Sequence, residues 1–254
     1  MTGRWVKPTP EAADAPLRLF CFPHAGGGGA FFRAWRDRLR PRVEVCPVVL
    51  PGREFRIDET PYRRMEDLIG PLCDGLRPHL GRPYALFGHS MGALVAYEVA
   101  RRFTAEGRAP VRLVVSGRRA PHVAALRRPL ADIPDDDLVT AVSRLGGTPD
   151  VLLEERGLWR LLLPCLRADF AVDEGYRPAD GPRLGCPVSA FTGDRDPEVE
   201  PAQADLWRVT TDGGFRLHVH PGDHFYLTGL PDAVRDDLVA DLGGDHAWHS
   251  ASKP

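Results

Sequence analysis

Residues 84–96 read Tyr84-Ala-Leu-Phe-Gly88-His89-Ser90-Met91-Gly92-Ala93-Leu94-Val95-Ala96. An apolar run leads into G-x-S-x-G, and an Ala- and Val-rich stretch follows. The run predicts a strand over 84–87 and the stretch a helix over 91–106, with Gly107 a natural stop. A serine on so sharp a strand-to-helix turn is presented as a nucleophile. The residues two before and two after it must be small, because the chain packs against itself there. The helix start also aims backbone N–H groups at any oxyanion that forms beside Ser90. With six serines and about a tenth of all residues glycine, G-x-S-x-G arises by chance roughly 0.06 times. The bland alternative is a glycine-rich turn with a structural serine.

A serine that takes up acyl groups needs a base for its proton and an acid to orient that base. On this strand-turn-helix framework they follow in the order Ser, Asp or Glu, His. Two later strand ends supply both: Phe191-Thr-Gly193-Asp194-Arg195-Asp196-Pro197, and His218-Val-His220-Pro-Gly222-Asp223-His224-Phe225. His224 lies on the loop past its strand and is the expected base. His218 and His220 lie within the strand and read as packing or surface residues. His24 and His89 precede the serine, against the required order. Asp196 and Asp194 compete for the acid. Asp196, three beyond Gly193, is better placed to reach across, and Asp194 suits a side-chain bond within the turn. The strand end Ser116-Gly117-Arg118-Arg119 offers no carboxylate.

The first strand ends in Pro23-His24-Ala25-Gly26-Gly27-Gly28-Gly29-Ala30. A dinucleotide or P-loop site is the competing reading, but G-x-G-x-x-G fits a run of glycines trivially and no G-K-[ST] follows. Beside a serine turn, the run reads better as a second source of oxyanion donors. The expected donors are the backbone N–H groups of Met91 and Ala25.

Working outward, strands are predicted over 17–22, 43–50, 84–87, 111–116, 187–192 and 215–220. Helices are predicted over 30–39, 65–80, 91–106, 203–209 and 232–242. This alternation predicts an α/β fold, a mostly parallel twisted sheet with helices on both faces. The strand runs are nearly continuous in apolar residues, as burial on both faces requires. Between 116 and 187 only two helical patterns occur, near 132–145 and 152–172. They read either as a pair of packing helices or as a lid over the strands' carboxyl ends, where ligands bind. The expected organisation is an extension over 1–16, one domain over 17–244 with a lid over about 121–185, and a tail over 245–254.

Composition narrows the function classes. The chain has 254 residues, 43% hydrophobic and 27% charged, with a net charge of −2. Such a chain buries a core without metal or disulfide staples, and its charge gives no global attraction to nucleic acid or anionic membranes. All but two of its 33 basic residues are Arg, which suggests a GC-rich genome as readily as any function. No run of 18 apolar residues predicts a membrane span. The start of the chain has no apolar core of a signal peptide. Cys21, Cys46, Cys73, Cys165 and Cys186 are scattered without metal-ligand spacing, as reduced core thiols of a cytoplasmic protein are.

Five segments together resemble the type II thioesterases, the discrete α/β-hydrolases that accompany polyketide synthases and nonribosomal peptide synthetases. They are Phe22-Pro23-His24-Ala25-Gly26-Gly27, Leu50-Pro51-Gly52-Arg53-Glu54-Phe55-Arg56, Gly88-His89-Ser90-Met91-Gly92, Gly193-Asp194-Arg195-Asp196-Pro197 and Gly222-Asp223-His224-Phe225-Tyr226-Leu227. The resemblance spans 17 to about 242. It implies the α/β-hydrolase fold with a helical lid and hydrolysis of acyl groups from the phosphopantetheine arm of an acyl or peptidyl carrier protein. It implies Ser90 as nucleophile, His224 as base, Asp196 as its orienter, Ala25 and Met91 as oxyanion donors, and neither metal nor cofactor. It assigns no role to Arg53, Glu54 or Arg56. A cyclising or acyl-transferring thioesterase and a general carboxylesterase would use the same residues; a non-catalytic carrier-docking scaffold would not need them. Carrier proteins are generally acidic, so Arg118, Arg119, Arg127 and Arg128 are the expected docking patch, with plain solvated surface as the alternative. A cytoplasmic monomer that binds neither nucleic acid nor membrane is expected.

Overall fold

The run Leu-Arg-Leu-Phe-Cys-Phe sends alternate side chains into two separate cores. Leu17, Leu19 and Cys21 join one, and Phe20 and Phe22 the other. A strand buried on both faces belongs inside a covered sheet. In the computed structural model, which describes residues 5–6, 14–125, 128–146 and 156–243, it is β1 (Leu17–Phe22). The other strands are β2 (Val43–Pro47), β3 (Tyr84–His89), β4 (Arg112–Ser116), β5 (Val188–Gly193) and β6 (Phe215–His220). Their order is β2-β1-β3-β4-β5-β6 and every neighbouring pair is parallel.

Parallel neighbours need crossovers, and helices supply them. One face carries α2 (Met65–Leu76) and α3 (Met91–Ala105); the other carries α1 (Arg33–Leu39) and the final helix, Asp232–Gly243. From β1 the chain steps outward to β2 and then returns across β1 to β3. The carboxyl ends of β1 and β3 therefore flank the sheet's topological switch point, the place where open α/β sheets bind ligands. The glycine-rich turn after β1 and Ser90 after β3 both lie there.

The chain between β4 and β5 contains α4 (Asp135–Arg144) and α5 (Arg156–Gly175). Leu138 of α4 meets Trp159, Leu163, Leu166 and Phe170 of α5 in a third apolar cluster. Among the described residues of this stretch no strand of the sheet occurs, as its sequence predicts. Next come α6 (Pro201–Asp205), continued by a 3-10 turn over Leu206–Thr210, and α7 (Asp232–Gly243).

Two expectations need adjusting. The strand predicted over 43–50 ends at Pro47, because the chain then changes partner: the N–H of Val49 donates to the Trp5 carbonyl at 2.9 Å and Val48 forms an antiparallel bridge with Val6. Trp5 and Val6, from the segment expected as an extension, thus contribute to the core. Trp5 is buried, stacks on Tyr62 and lies 4.0 Å beneath the Arg56 guanidinium. A Cβ on Gly75 of α2 would collide with its indole, so that glycine makes the room.

Gly92 of α3 lies against backbone: an added Cβ would collide with the carbonyl oxygens of Phe22 and Pro23, neither of which can swing away. Gly70, on α2, has nothing within 4 Å of the same point. Gly92→Ala is expected to destabilise by about 3 kcal/mol, the upper end for overpacking. Gly70→Ala should stabilise by about 0.5–1 kcal/mol through helix propensity. Urea unfolding midpoints of the two variants measure this; equal shifts would mean that the packing beside the serine is not sterically tight.

Candidate active site

Ser90 has φ 56° and ψ −123°, in a region that non-glycine residues rarely occupy. The surroundings hold it there. A Cβ on Gly88 would collide with the Gly92 carbonyl, so strand and helix cross with no side chain between them. The N–H of Ser90 donates to the Ser116 carbonyl at 2.8 Å, and its own carbonyl accepts from Ala93 at 3.0 Å. The hydroxyl stands at the amino end of α3, where the first backbone N–H groups, beginning with Met91, have no partner within the helix.

The loops after β5 and β6 are fastened to one another. Asp194 N–H donates to the His220 carbonyl and Arg195 N–H to the Gly222 carbonyl, at 2.8 and 2.9 Å. The Asp194 carboxylate accepts from Gly222 N–H at 2.8 Å, a bond within the paired turns. Asp196 points inward instead. Its oxygens lie 2.9 and 3.0 Å from Nδ1 of His224, and one of them also accepts from Glu198 N–H at 2.8 Å. Both side chains are buried. A carboxylate at Nδ1 fixes the proton there and leaves Nε2 as the basic nitrogen.

Ser90, His224, Ala25 and Met91 line one cavity of about 340 Å³, with Asp196 behind His224. Val142 and Leu145 at the end of α4, and Trp159, Leu166 and Phe170 of α5, line it, so these two helices pack on each other and also bound the cavity. His24 and His89 are aromatic walls. His24 meets Phe31 and Phe225 edge-on, and burial, reinforced by His224 and Arg53, brings its pKa down to about 3. Burial likewise pushes His89 well below the usual histidine range; its Nδ1 lies 3.1 Å from Ser116 Oγ, which is 2.7 Å from the Tyr226 hydroxyl. His218 and His220 face α7, where His218 bonds Asp241 at 2.9 Å and His220 lies 3.5 Å from Asp237.

The segment Leu50–Arg56 packs under the glycine-rich turn. Arg53 forms a bidentate pair with Asp169 of α5, at 2.7 and 2.8 Å, and donates to the Gly27 carbonyl at 2.8 Å. The same carboxylate accepts from Gly26 N–H at 2.7 Å. Sequence reasoning does not find Asp169: it lies mid-helix, 116 residues from Arg53, with no local pattern to mark it. Glu54 accepts from Ala30 N–H at 3.1 Å. Arg56 pairs with Glu59 and caps Trp5.

The docking patch requires correction. Arg118 and Arg119 are buried, not on an exposed rim. The chain turns inward after β4, so that Arg118 pairs with Asp173 of α5 at 2.8 Å and Arg119 donates to the Val123 carbonyl at 3.0 Å. Arg128 is exposed, and Arg127 lies outside the described residues. Among the described residues, no group of three or more His, Cys, Asp or Glu could hold a metal, and no helix is long and apolar enough to cross a membrane. The five cysteines are buried and free.

The chain is similar to known proteins over nearly its whole length. The family model for the thioesterase domain matches residues 17–242. The linear gramicidin dehydrogenase LgrE of Brevibacillus parabrevis is 39% identical over 229 residues, 89% of this chain and 87% of that protein. The thioesterase PikA5 of Streptomyces venezuelae is 38% identical over 240 residues, 93% of this chain and 85% of that protein. The structure of the type II thioesterase BorB from the borrelidin biosynthetic cluster superposes with a TM-score of 0.87 at 38% identity, covering 95% of this chain and 99% of that one. From the family match and from relatives covered almost end to end, the chain belongs to the thioesterase family.

Proposed function

We propose that this thioesterase removes acyl groups from the phosphopantetheine thiol of acyl or peptidyl carrier proteins, by way of an acyl-Ser90 intermediate. The observation that carries the reading is the buried Asp196–His224 pair, opening with Ser90 onto one covered cavity. His224 Nε2 takes the Ser90 proton as Oγ attacks the thioester carbonyl. Asp196 stabilises the imidazolium that results. The N–H groups of Met91 and Ala25 receive the oxyanion. The tetrahedral intermediate expels the pantetheine thiolate, to which His224 returns the proton. Water, activated in turn by His224, releases the free acid. Neutral His24 and His89 suit this reading, since a fixed positive charge beside His224 would oppose its protonation.

The natures of the relatives support the substrate class: BorB comes from a biosynthetic cluster and is named a type II thioesterase. The cavity lies at the small end of ligand pockets, which favours short acyl groups, the kind an editing enzyme clears from blocked carriers. Five free thiols fit the cytoplasm, where carrier proteins are loaded.

Three measurements test the reading. Ser90→Ala should lower kcat on an acylated carrier protein by about 10⁴–10⁶ with the fold intact; intact-mass spectrometry of the carrier reads the product, and a tenth of the activity remaining would overturn the assignment. Asp196→Asn should cost roughly 10³–10⁴ in rate and Asp194→Asn far less, because only Asp196 touches His224; the reverse order would move the acid to Asp194. Trp159→Leu should raise kcat/KM for octanoyl over acetyl thioesters by about tenfold. Equal effects on both chain lengths would leave Trp159 a packing residue only.

A further inference from the structure

We infer that Asp169, carried by the lid helix α5, is a positioning residue that holds the glycine-rich turn in the conformation needed for oxyanion binding, together with Arg53. The inference rests on the proposed reading of the Ala25 N–H as an oxyanion donor.

His24 to Gly27 form a turn closed by Gly27 N–H donating to the His24 carbonyl at 2.9 Å, with φ of +74° at Gly26. Positive φ at the third residue makes this a type II turn, which differs from type I by a flip of the middle peptide, here Ala25–Gly26. The closing bond orients the His24–Ala25 peptide, and because that peptide is trans, its N–H, the proposed donor, points away from the bonded carbonyl. The middle peptide is fixed by something else. Its N–H donates to Asp169 Oδ2 at 2.7 Å. A flip to type I would turn the Ala25 carbonyl toward that carboxylate, oxygen against oxygen.

Arg53 secures the next unit. Its Nη1 reaches both the Gly27 carbonyl and Asp169 Oδ2 at 2.8 Å, while Nη2 takes Asp169 Oδ1 at 2.7 Å. The closing bond, the Asp169 bond and the Arg53 bond thus hold the turn at its closure, its middle peptide and its exit. Leu166, one turn of α5 before Asp169, comes within 2.8 Å of where a Cβ on Gly26 would sit, so the helix is pressed onto the turn.

Stability alone does not account for the pair. Both side chains are at most 5% exposed. Burial works against the Arg53 charge, and Asp169, together with Cys165 and Glu54, more than offsets it, raising the guanidinium above its usual range. A buried ion pair of this kind is commonly replaced by apolar residues without loss of stability, whereas removing one partner alone is costly. What an apolar pair lacks is an acceptor for the Gly26 N–H.

That difference is the test. Asp169→Ala, Arg53→Lys and the double variant Arg53→Met with Asp169→Leu are compared by thermal melting, by kcat and KM on a short acyl thioester of N-acetylcysteamine, and by affinity for an alkyl trifluoromethyl ketone, whose adduct with serine carries an oxyanion. Asp169→Ala, which leaves the Gly26 N–H without its acceptor, should lower kcat by about 10–100-fold, less than the roughly 10²–10³-fold cost of removing an oxyanion donor outright, with KM changed less than twofold. The double variant should melt within a few degrees of the parent and still show the loss in kcat and in ketone affinity. Arg53→Lys, which keeps the charge but not the fork, should lose about fivefold in kcat and decides the matter should the double variant not fold. Full kcat and ketone affinity in a folded double variant, or in Asp169→Ala or Arg53→Lys, would reduce the pair to a structural one. Ser90→Ala runs in parallel: if it is inactive while Asp169→Ala is unimpaired, only this inference fails, and if it is active, the reading beneath it fails.

Discussion

At the centre of the molecule two backbones touch with no side chain between them. Gly92 rests on the carbonyls of Phe22 and Pro23, and Gly88 on the carbonyl of Gly92. A methyl group at either position would separate β3 from α3, or α3 from the end of β1. The left-handed backbone of Ser90 is the consequence, since the chain must reverse between two glycines already in contact. Because β1 and β3 are neighbours at the switch point, the same contact brings the glycine-rich turn beside the serine. The distance between the proposed nucleophile and the proposed Ala25 donor is therefore set by backbone packing, which varies less than side-chain packing does.

The other strand ends are arranged around that contact. Behind β4 the chain carries Gly117, with φ of +58°, and a Cβ there would come within 2.7 Å of the His89 ring and 3.2 Å of the His224 ring. A side chain at position 117 would have to displace the His89 imidazole and crowd that of His224. The acid partner of His224 comes instead from β5, one strand further on, and the mutual bonds of the β5 and β6 loops hold it in reach. Asp194 and Asp196 divide the work: one fastens the loops, and the other meets the imidazole they deliver.

Much of this was legible in the sequence because its causes are local. Strands buried on both faces must be runs of apolar residues, as 17–22 is, and the glycines around Ser90 and the aspartates after Gly193 sit where short-range geometry demands them. Where the cause is long-range, the sequence is silent. Asp169 has a meaning only opposite Arg53 and Gly26, more than a hundred residues away. Trp5 packs as a single aromatic without periodicity. Arg118 and Arg119, an adjacent pair of the kind that usually stays in water, are drawn inward by Asp173 and by the Val123 carbonyl, and nothing near them in sequence announces either partner.

The two helices over the cavity are not held alike. Helix α5 carries Asp169 and Asp173, both buried and paired with Arg53 and Arg118. Drawing it away would leave two buried guanidiniums without their carboxylates, at about 3–5 kcal/mol for each broken pair. Helix α4 is joined to α5 by the burial of Leu138, by the partly buried Val139, Ala141 and Val142, and by an ion pair between Arg167 and Asp135, whose carboxylate is 65% exposed. A pair so exposed contributes at most about 1 kcal/mol, and burial of one leucine about 1.5–3 kcal/mol. Widening the cavity by moving Val142 and Leu145 on the α4 side is therefore less costly than moving Trp159 or Phe170 on the α5 side. Of the two helices, α5 is the more firmly held wall of the cavity, the one the glycine-rich turn leans on, and α4 is the one less costly to displace.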